Sequence, residues 1–263
     1  GFSTISPSEP DATTLPSLSK TQFVIFAGTV VSQSILTLAS FCETIGVAKG
    51  NSTVDISLLE HCVRDDLKEK VESRNVVFDP IKVVITNYPE GQTEVCDIEN
   101  NAQVPEMGTR QVPFSRELWI DGADFMEVPV KKYFRMFPGN EVRFKGAYFI
   151  TCNEVVKNED GSIKELLCTY DPETRSGSGF EGRKVKGTIH WVDAKTAVKI
   201  KIRNYNYLMI PDENGENQLN PNSVEETFGY AEPAIADAQP GEQERGDENG
   251  LNHFHSCLPP WLS

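Results

Sequence analysis

Between Asn140 and Asn204 the chain breaks into short runs bounded by Gly, Asp or Asn, and in three of them apolar and polar side chains alternate with period two. The runs are Asn140–Tyr148, Thr151–Val156, Ser162–Tyr170, Gly182–Trp191 and Ala197–Asn204. Period two sends successive side chains to opposite faces of a strand, so this spelling predicts strands rather than helices. Asn158-Glu-Asp-Gly161 supplies a hairpin turn between two of them. Upstream, Asn75–Phe78 and Ile81–Ile85 read as strands around Asp79-Pro80, and Pro89-Glu-Gly91 as a turn. Gly108–Val128 reads as two strands about a corner. Val112, Phe114, Leu118, Ile120 and Phe125 are expected to face a core, and Arg110, Arg116, Glu117 and Asp121 to face water. Pro113 makes the first of these an edge strand or bends it. Asp212–Asn222 reads as a polar loop and Thr227–Ala231 as a last short strand. Short strands at this spacing predict a mainly β chain folded as barrels or sandwiches, two of them.

Ahead of the strands the period is helical. Phe41, Ile45 and Val47 share one side of a short helix, with Gly46 as its stop or bend. A second amphipathic helix runs from Asp55, a fitting N-cap, with Leu58, Leu59, Cys62, Val63 and Leu67 on its apolar side. Residues 1–22 are rich in Ser, Thr and Pro without periodicity and read as disordered. The apolar run Phe23–Leu38 is interrupted by Ser32, Gln33 and Ser34 and is preceded only by Lys20, which argues against a targeting signal or membrane span.

The net charge of −14 argues against nucleic acid when spread over the whole chain, because phosphate binding needs cationic surface. The charge is segregated, however. Residues 131–203 hold 15 of the 25 Lys and Arg against nine acids, whereas residues 204–263 hold 11 acids and only Arg245. Within the basic stretch three strands each carry one cationic face. Arg143 and Lys145 oppose Val142 and Phe144. Lys184, Lys186, Thr188 and His190 oppose Val185, Ile189 and Trp191. Lys199, Lys201 and Arg203 oppose Val198, Ile200 and Ile202. Adjoining faces of this kind make a cationic sheet suited to a phosphate backbone or to unstacked bases. On spacing alone, outward lysines kept for solubility are the stronger explanation of the pattern.

Other motifs carry less. Gly177-Ser-Gly179-Phe-Glu-Gly182 spells GxGxxG, but a strand follows it and no strand–helix unit surrounds it, so it reads as a loop. His253-x-His255-x-Cys257 offers three metal-type ligands and no fourth. His61-Cys62 lacks an orienting third group and reads as helix packing. The six Cys are scattered without framework spacing, as reduced thiols of a cytosolic protein are. With no carboxylate pair, phosphate loop or nucleophile elbow, the residues indicate a binding module and give no sign of an enzyme.

Longer motifs add a family. LLEHCVRDDL, FDPIKVVITNYPEG, PEMGTRQVPFSRELWIDGADF, KKYFRMFPGNEVRFKGAYFI, CTYDPETRSG, GRKVKGTIHWV and LNPNSVEETFGYAEPAIADAQPGEQ run collinearly from about Phe41 to Gln243. In that order they resemble the anticodon-binding half of glutaminyl-tRNA synthetases. The resemblance implies a helical segment over 41–71 and a proximal β-barrel over 72–128 and 204–243. A distal β-barrel over 129–203 is inserted within the proximal one. Residues 1–40 are then a disordered or out-of-frame leader and 244–263 a tail foreign to the family, both edges reading as a badly bounded frame. Residues 131–203 are expected to form a self-contained barrel whose outer face gathers much of Arg135, Arg143, Lys145, Lys184, Lys186, Lys199, Lys201 and Arg203.

By position, Arg135 falls on an arginine the family uses for the third anticodon base, and the family's frequent lysine before it is Phe134 here. Arg143 and Lys145 fall on basic positions at the first base and its neighbourhood. Arg74 lies nearest to an arginine expected for the central base, offset by one. The resemblance implies a partner, the anticodon stem-loop of tRNA(Gln), and a cytoplasmic monomer with no membrane role. The parent reaction joins glutamine to its tRNA with ATP and Mg. This chain has no His-Ile-Gly-His signature and no KMSKS-type lysine loop, so it is expected to hold no cofactor and to be inactive alone. Two alternatives stand beside it: the same part of an archaeal or eukaryotic-type glutamyl-tRNA synthetase, and a non-catalytic interaction protein or non-functional gene fragment.

Overall fold

The computed structural model describes residues 39–46, 54–68, 70–237 and 245–246. The expectations for residues 1–38, for Val47 and for His253-x-His255-x-Cys257 lie outside them. Helix α1 covers residues 39–45, and Gly46 closes it at φ 71°, with its N–H donating to the Cys42 carbonyl (3.0 Å). Helix α2 is Ile56–Lys68. Asp55 caps it by accepting from the Ser57 N–H (2.8 Å), and the Ser57 hydrogen bonds hold its carboxyl below the usual aspartate range. Cys62, Val63 and Leu67 are buried, on the side that the apolar spacing indicated.

The strands are β1 (Ser73–Arg74), β2 (Val76–Val77), β3 (Pro80–Ile85), β4 (Thr93–Glu99), β5 (Thr109–Ser115), β6 (Glu117–Asp121), β7 (Glu141–Phe144), β8 (Phe149–Lys157) and β9 (Ile163–Asp171). They continue as β10 (Thr188–Ile189), β11 (Val192–Asp193), β12 (Val198–Tyr205), β13 (Met209–Pro211), β14 (Asn217–Leu219), β15 (Val224–Ala231) and β16 (Arg245–Gly246). One seven-stranded sheet takes them in the order β10-β7-β8-β9-β3-β6-β11. The β4–β5 hairpin supplies Cys96, Ile98, Val112 and Phe114 to the same core as Val83, Leu118, Phe144, Leu166 and Trp191. Five residues expected to face inward, Val112, Phe114, Leu118, Ile120 and Phe125, are all buried. Pro113 lies on β5, which among the described residues pairs only with β4, as an edge position requires. The turn after Asn158 joins β8 to β9, with Asn158 N–H donating to the Ser162 carbonyl (2.9 Å).

The chain is mainly β, and several particulars differ from the sequence expectation. Residues 131–203 are not self-contained: β9 pairs in parallel with β3, and β11 pairs antiparallel with β6, so the sheet and its core run on into residues 80–121. Asp121, expected in water, is buried, because its carboxylate accepts from the Phe78 and Ala123 N–H groups (2.9 and 3.0 Å). Arg110 is likewise drawn in, forming a fork on the fully buried Glu232 (2.9 and 3.0 Å), which also accepts from the Asn75 N–H (2.7 Å). Residues 183–187 are not strand, and 212–222 is not all loop. Arg245–Gly246, within the irregular tail, pairs in parallel with Ser73–Arg74.

A three-stranded sheet, β12-β15-β2, packs Val198 and Ile200 on Val76, Ala231 and Ile235. Trp119 of β6 stacks flat on Tyr230 of β15, with centroids 4.8 Å apart. Arg203–Glu226 form a separate compact unit, in which β13 and β14 make an antiparallel hairpin.

Candidate nucleic-acid interface

On β7 the alternation is observed. Val142 and Phe144 are fully buried, which places Glu141 and Arg143 on the opposite face. The ladder then fixes a row. Thr188 pairs with Arg143, Arg143 with Phe149 and Phe149 with Asp171, so these four side chains share one face across β10, β7, β8 and β9. The Arg143 guanidinium lies 4.2 Å from the Phe149 ring centroid and donates to Ser176 Oγ (3.0 Å). Partial burial lowers its pKa from the ordinary arginine value. It is a cation held in one orientation.

Arg183 sits beside it and was not among the residues singled out by spacing. Its fork takes both Glu141 oxygens (2.7 and 2.6 Å) and also Asp171 Oδ2 (2.6 Å), and its guanidinium carbon is 5.4 Å from the Phe149 centroid. The hydrogen bonds to Glu141 and Asp171 push the Arg183 pKa up, and the Arg183 hydrogen bond holds the Asp171 carboxyl below its usual range. Extended over 183–191, the alternation puts Arg183 on the apolar side. Residues 183–187 are not strand, so that alternation does not place Arg183.

Arg135 is positioned from the interior. Met136 N–H donates to the Asp124 carbonyl (3.0 Å), and Met126 N–H donates to the Met136 carbonyl (3.1 Å). This brings the Arg135 guanidinium onto the Asp124 carboxylate, which is 1% exposed. The other Asp124 oxygen is 3.7 Å from His190 Nδ1. His190 Nε2 is 2.8 Å from the Val76 carbonyl and must be the donor there, because a carbonyl only accepts. His190, expected on a cationic outer face with Lys184 and Lys186, is therefore a buried partner of the Asp124 site.

Gly187 joins the two regions. A Cβ at this position would lie 1.8 Å from the Phe134 carbonyl oxygen, so only glycine lets the chains touch. The Gly187 carbonyl accepts from the Arg143 N–H (2.8 Å). Lys186 places its ammonium 5.1 Å from the centroid of the exposed Phe134 ring. Arg135, Lys186 and Arg143 thus belong to one neighbourhood, and Lys145 follows β7 in a turn, its N–H donating to the Ile189 carbonyl (2.9 Å). Lys184 is exposed in the adjoining loop.

The remaining candidates lie elsewhere. Lys199 and Lys201 are exposed on β12, in the three-stranded sheet, and Lys199 Nζ is 4.8 Å from the Phe228 centroid. The three alternating runs therefore do not form one cationic sheet. Arg203, in the separate unit, pairs with Glu226 (2.9 Å). Arg74 is mostly buried and donates to Glu72 (2.6 Å). Among the described residues no group of His, Cys, Asp and Glu side chains is arranged to hold a metal ion. No helix among them is long and apolar enough to cross a membrane. The GxGxxG segment is loop.

Two family models with the same description, tRNA synthetases class I (E and Q), anti-codon binding domain, match residues 74–171 and 188–243. Among curated relatives, a glutamine–tRNA ligase of Clostridium perfringens is 54% identical over 209 residues, 77% of this chain and 38% of the relative. One of Clostridioides difficile is 52% identical over 221 residues, 81% of this chain and 40% of the relative. One of Nitrobacter hamburgensis is 49% identical, with 82% of this chain and 38% of the relative covered. The chain spans about two fifths of the length of these relatives.

Proposed function

We propose, from the premise that this chain belongs to the class I glutamyl- and glutaminyl-tRNA synthetases and carries their anticodon-binding domain, that it grips the anticodon stem-loop of tRNA(Gln). The observation that carries the reading is the Arg143 row. A guanidinium fixed by a ring and a hydroxyl presents a planar donor fork to an unpaired base edge. Arg135, set by a buried carboxylate, does the same nearby. Lys145, Lys184 and Lys186 attract the phosphate backbone without reading sequence. Lys199 and Lys201 offer a second, exposed cationic surface for more of the stem.

The parent reaction is the ATP- and Mg-dependent ligation of glutamine to its tRNA. This stretch contributes RNA recognition to it, as a monomer in the cytoplasm, and the ATP chemistry is assigned to none of these residues. The relatives' name, glutamine–tRNA ligase, supports the glutaminyl over the glutamyl reading. The test is a titration of a labelled tRNA(Gln) anticodon stem-loop against the chain at several salt concentrations. The expected result is binding that weakens with salt and that falls when a loop base is changed. Equal affinity for a scrambled loop would sink the reading.

A further inference from the structure

We propose that Phe134, together with Lys186, is a stacking seat for one unpaired nucleobase of the bound RNA. The proposal rests on the RNA-binding reading above and adds to it an aromatic contact that no charge pattern reveals. Phe134 is 47% exposed, whereas every other Phe of residues 114–149 is at least half-buried and most are in the core. Its backbone is fixed independently of its ring, by the close approach of its carbonyl to Gly187. The ring is thus held outward on a rigid base without contributing to the core.

Its surroundings define the occupant. Lys186 Nζ lies 5.1 Å from the ring centroid, Arg135 is the next residue, and Lys131 and Lys132 are exposed just before it. An exposed ring set among cations suits a ligand that is aromatic and anionic at once, which describes an unstacked nucleotide. The ring quadrupole holds the ammonium in the free protein. On binding, the base takes the ring face, and the ammonium moves to the phosphate beside it. A base on Phe134 then lies next to the Arg135 guanidinium, which can read its edge.

The test substitutes 2-aminopurine, whose emission is quenched on stacking, at each unpaired loop position of the stem-loop in turn. One position is expected to be quenched on binding to the wild type and to Phe134→Tyr, but not to Phe134→Ala or Phe134→Leu. Phe134→Ala is expected to bind on the order of 10-fold more weakly, with an unchanged slope of log affinity against log salt. Lys186→Ala is expected to lower that slope by about 0.7. Thermal unfolding of Phe134→Ala is expected to match the wild type, because the ring is exposed. Binding with no quenching dependent on Phe134, or unchanged affinity in Phe134→Leu, overturns this proposal alone. Absence of binding by the wild type overturns both it and the reading on which it rests.

Discussion

The two cationic surfaces of this chain are spelled alike and built differently. On β7 and its neighbours the cations are arginines tied to the protein: Arg143 to Phe149 and Ser176, Arg183 to Glu141 and Asp171, Arg135 to Asp124. On β12 they are exposed lysines on a sheet of three strands, Lys199 lying 4.8 Å from the Phe228 ring centroid. A fixed guanidinium loses little freedom when it meets a base edge and can distinguish one base from another. An ammonium on a flexible stem offers a point charge to any phosphate. The difference suggests a division of labour, with discrimination on the first surface and attraction on the second.

The strongest attack on that division is from below. Asp124→Ala removes the carboxylate shared by Arg135 and His190 and leaves cationic and polar groups facing a hole. Since Arg135 is about a quarter exposed, water screens part of the loss, and the expected destabilisation is about 2 kcal/mol by urea unfolding. Any surviving fold should retain phosphate attraction and lose preference at one loop base.

Next comes Arg143. Arg143→Ala is expected to cost about 1–3 kcal/mol of stem-loop affinity and to relax preference at a single base. Arg143→Lys is the sharper variant. It keeps the charge, so the salt slope should hold, yet the planar fork is gone and discrimination should fall with it. Preserved discrimination in the lysine variant would erase the distinction between the two surfaces. Lys199→Ala should lose less, weaken all RNA sequences alike and reduce the salt slope by about 0.7–0.9.

The smallest effect concerns acid. The Asp171 carboxyl, hydrogen-bonded to Arg183, ionises below the usual aspartate range. Its folded pKa is depressed, so its contribution to stability is present above the ordinary aspartate pKa and is lost as pH falls through the lowered value. Arg183→Gln should return its titration, followed by carboxyl NMR, toward the ordinary range. An unmoved midpoint would show that Arg183 is not what holds Asp171.

How far the sequence could be read follows from which interactions are local. The apolar side of α2, the inward apolar residues of β5 and β6, and the hairpin after Asn158 depend on neighbours within a few positions, and these were legible. Strand β4 was not. Its inward side carries Glu94, which spoils the apolar alternation and is tolerated because the Tyr88 and Tyr148 hydroxyls both donate to it (2.9 Å each). Residues 183–191 show the reverse error. The letters alternate, but the backbone bends to meet Phe134 at Gly187, and His190 turns inward to Val76 and Asp124. Of the candidate cations, Arg143, Lys199 and Lys201 lie on strands that keep the alternation read from spacing. The aromatic and acidic partners that distinguish one surface from the other come from segments distant in sequence, beyond the reach of any period.

The parallel pairing of β3 with β9 bears on how the chain is made. Val83 meets Leu166 across more than eighty intervening positions, so closing that ladder spends loop entropy before any contact rewards it. On the ribosome, at roughly 5–20 residues per second, β3 is synthesised several seconds before the strand it needs. The hairpin of β8 and β9 is a local unit that supplies the edge on which β3 pairs. Until then Val83 and Ile85 have only β6 and the β4–β5 hairpin to pack against, and the part of the core that β7 to β9 supply is missing. A nascent chain stalled before residue 163 should therefore recruit a chaperone, whereas one extended past residue 171 and free of the exit tunnel should release it.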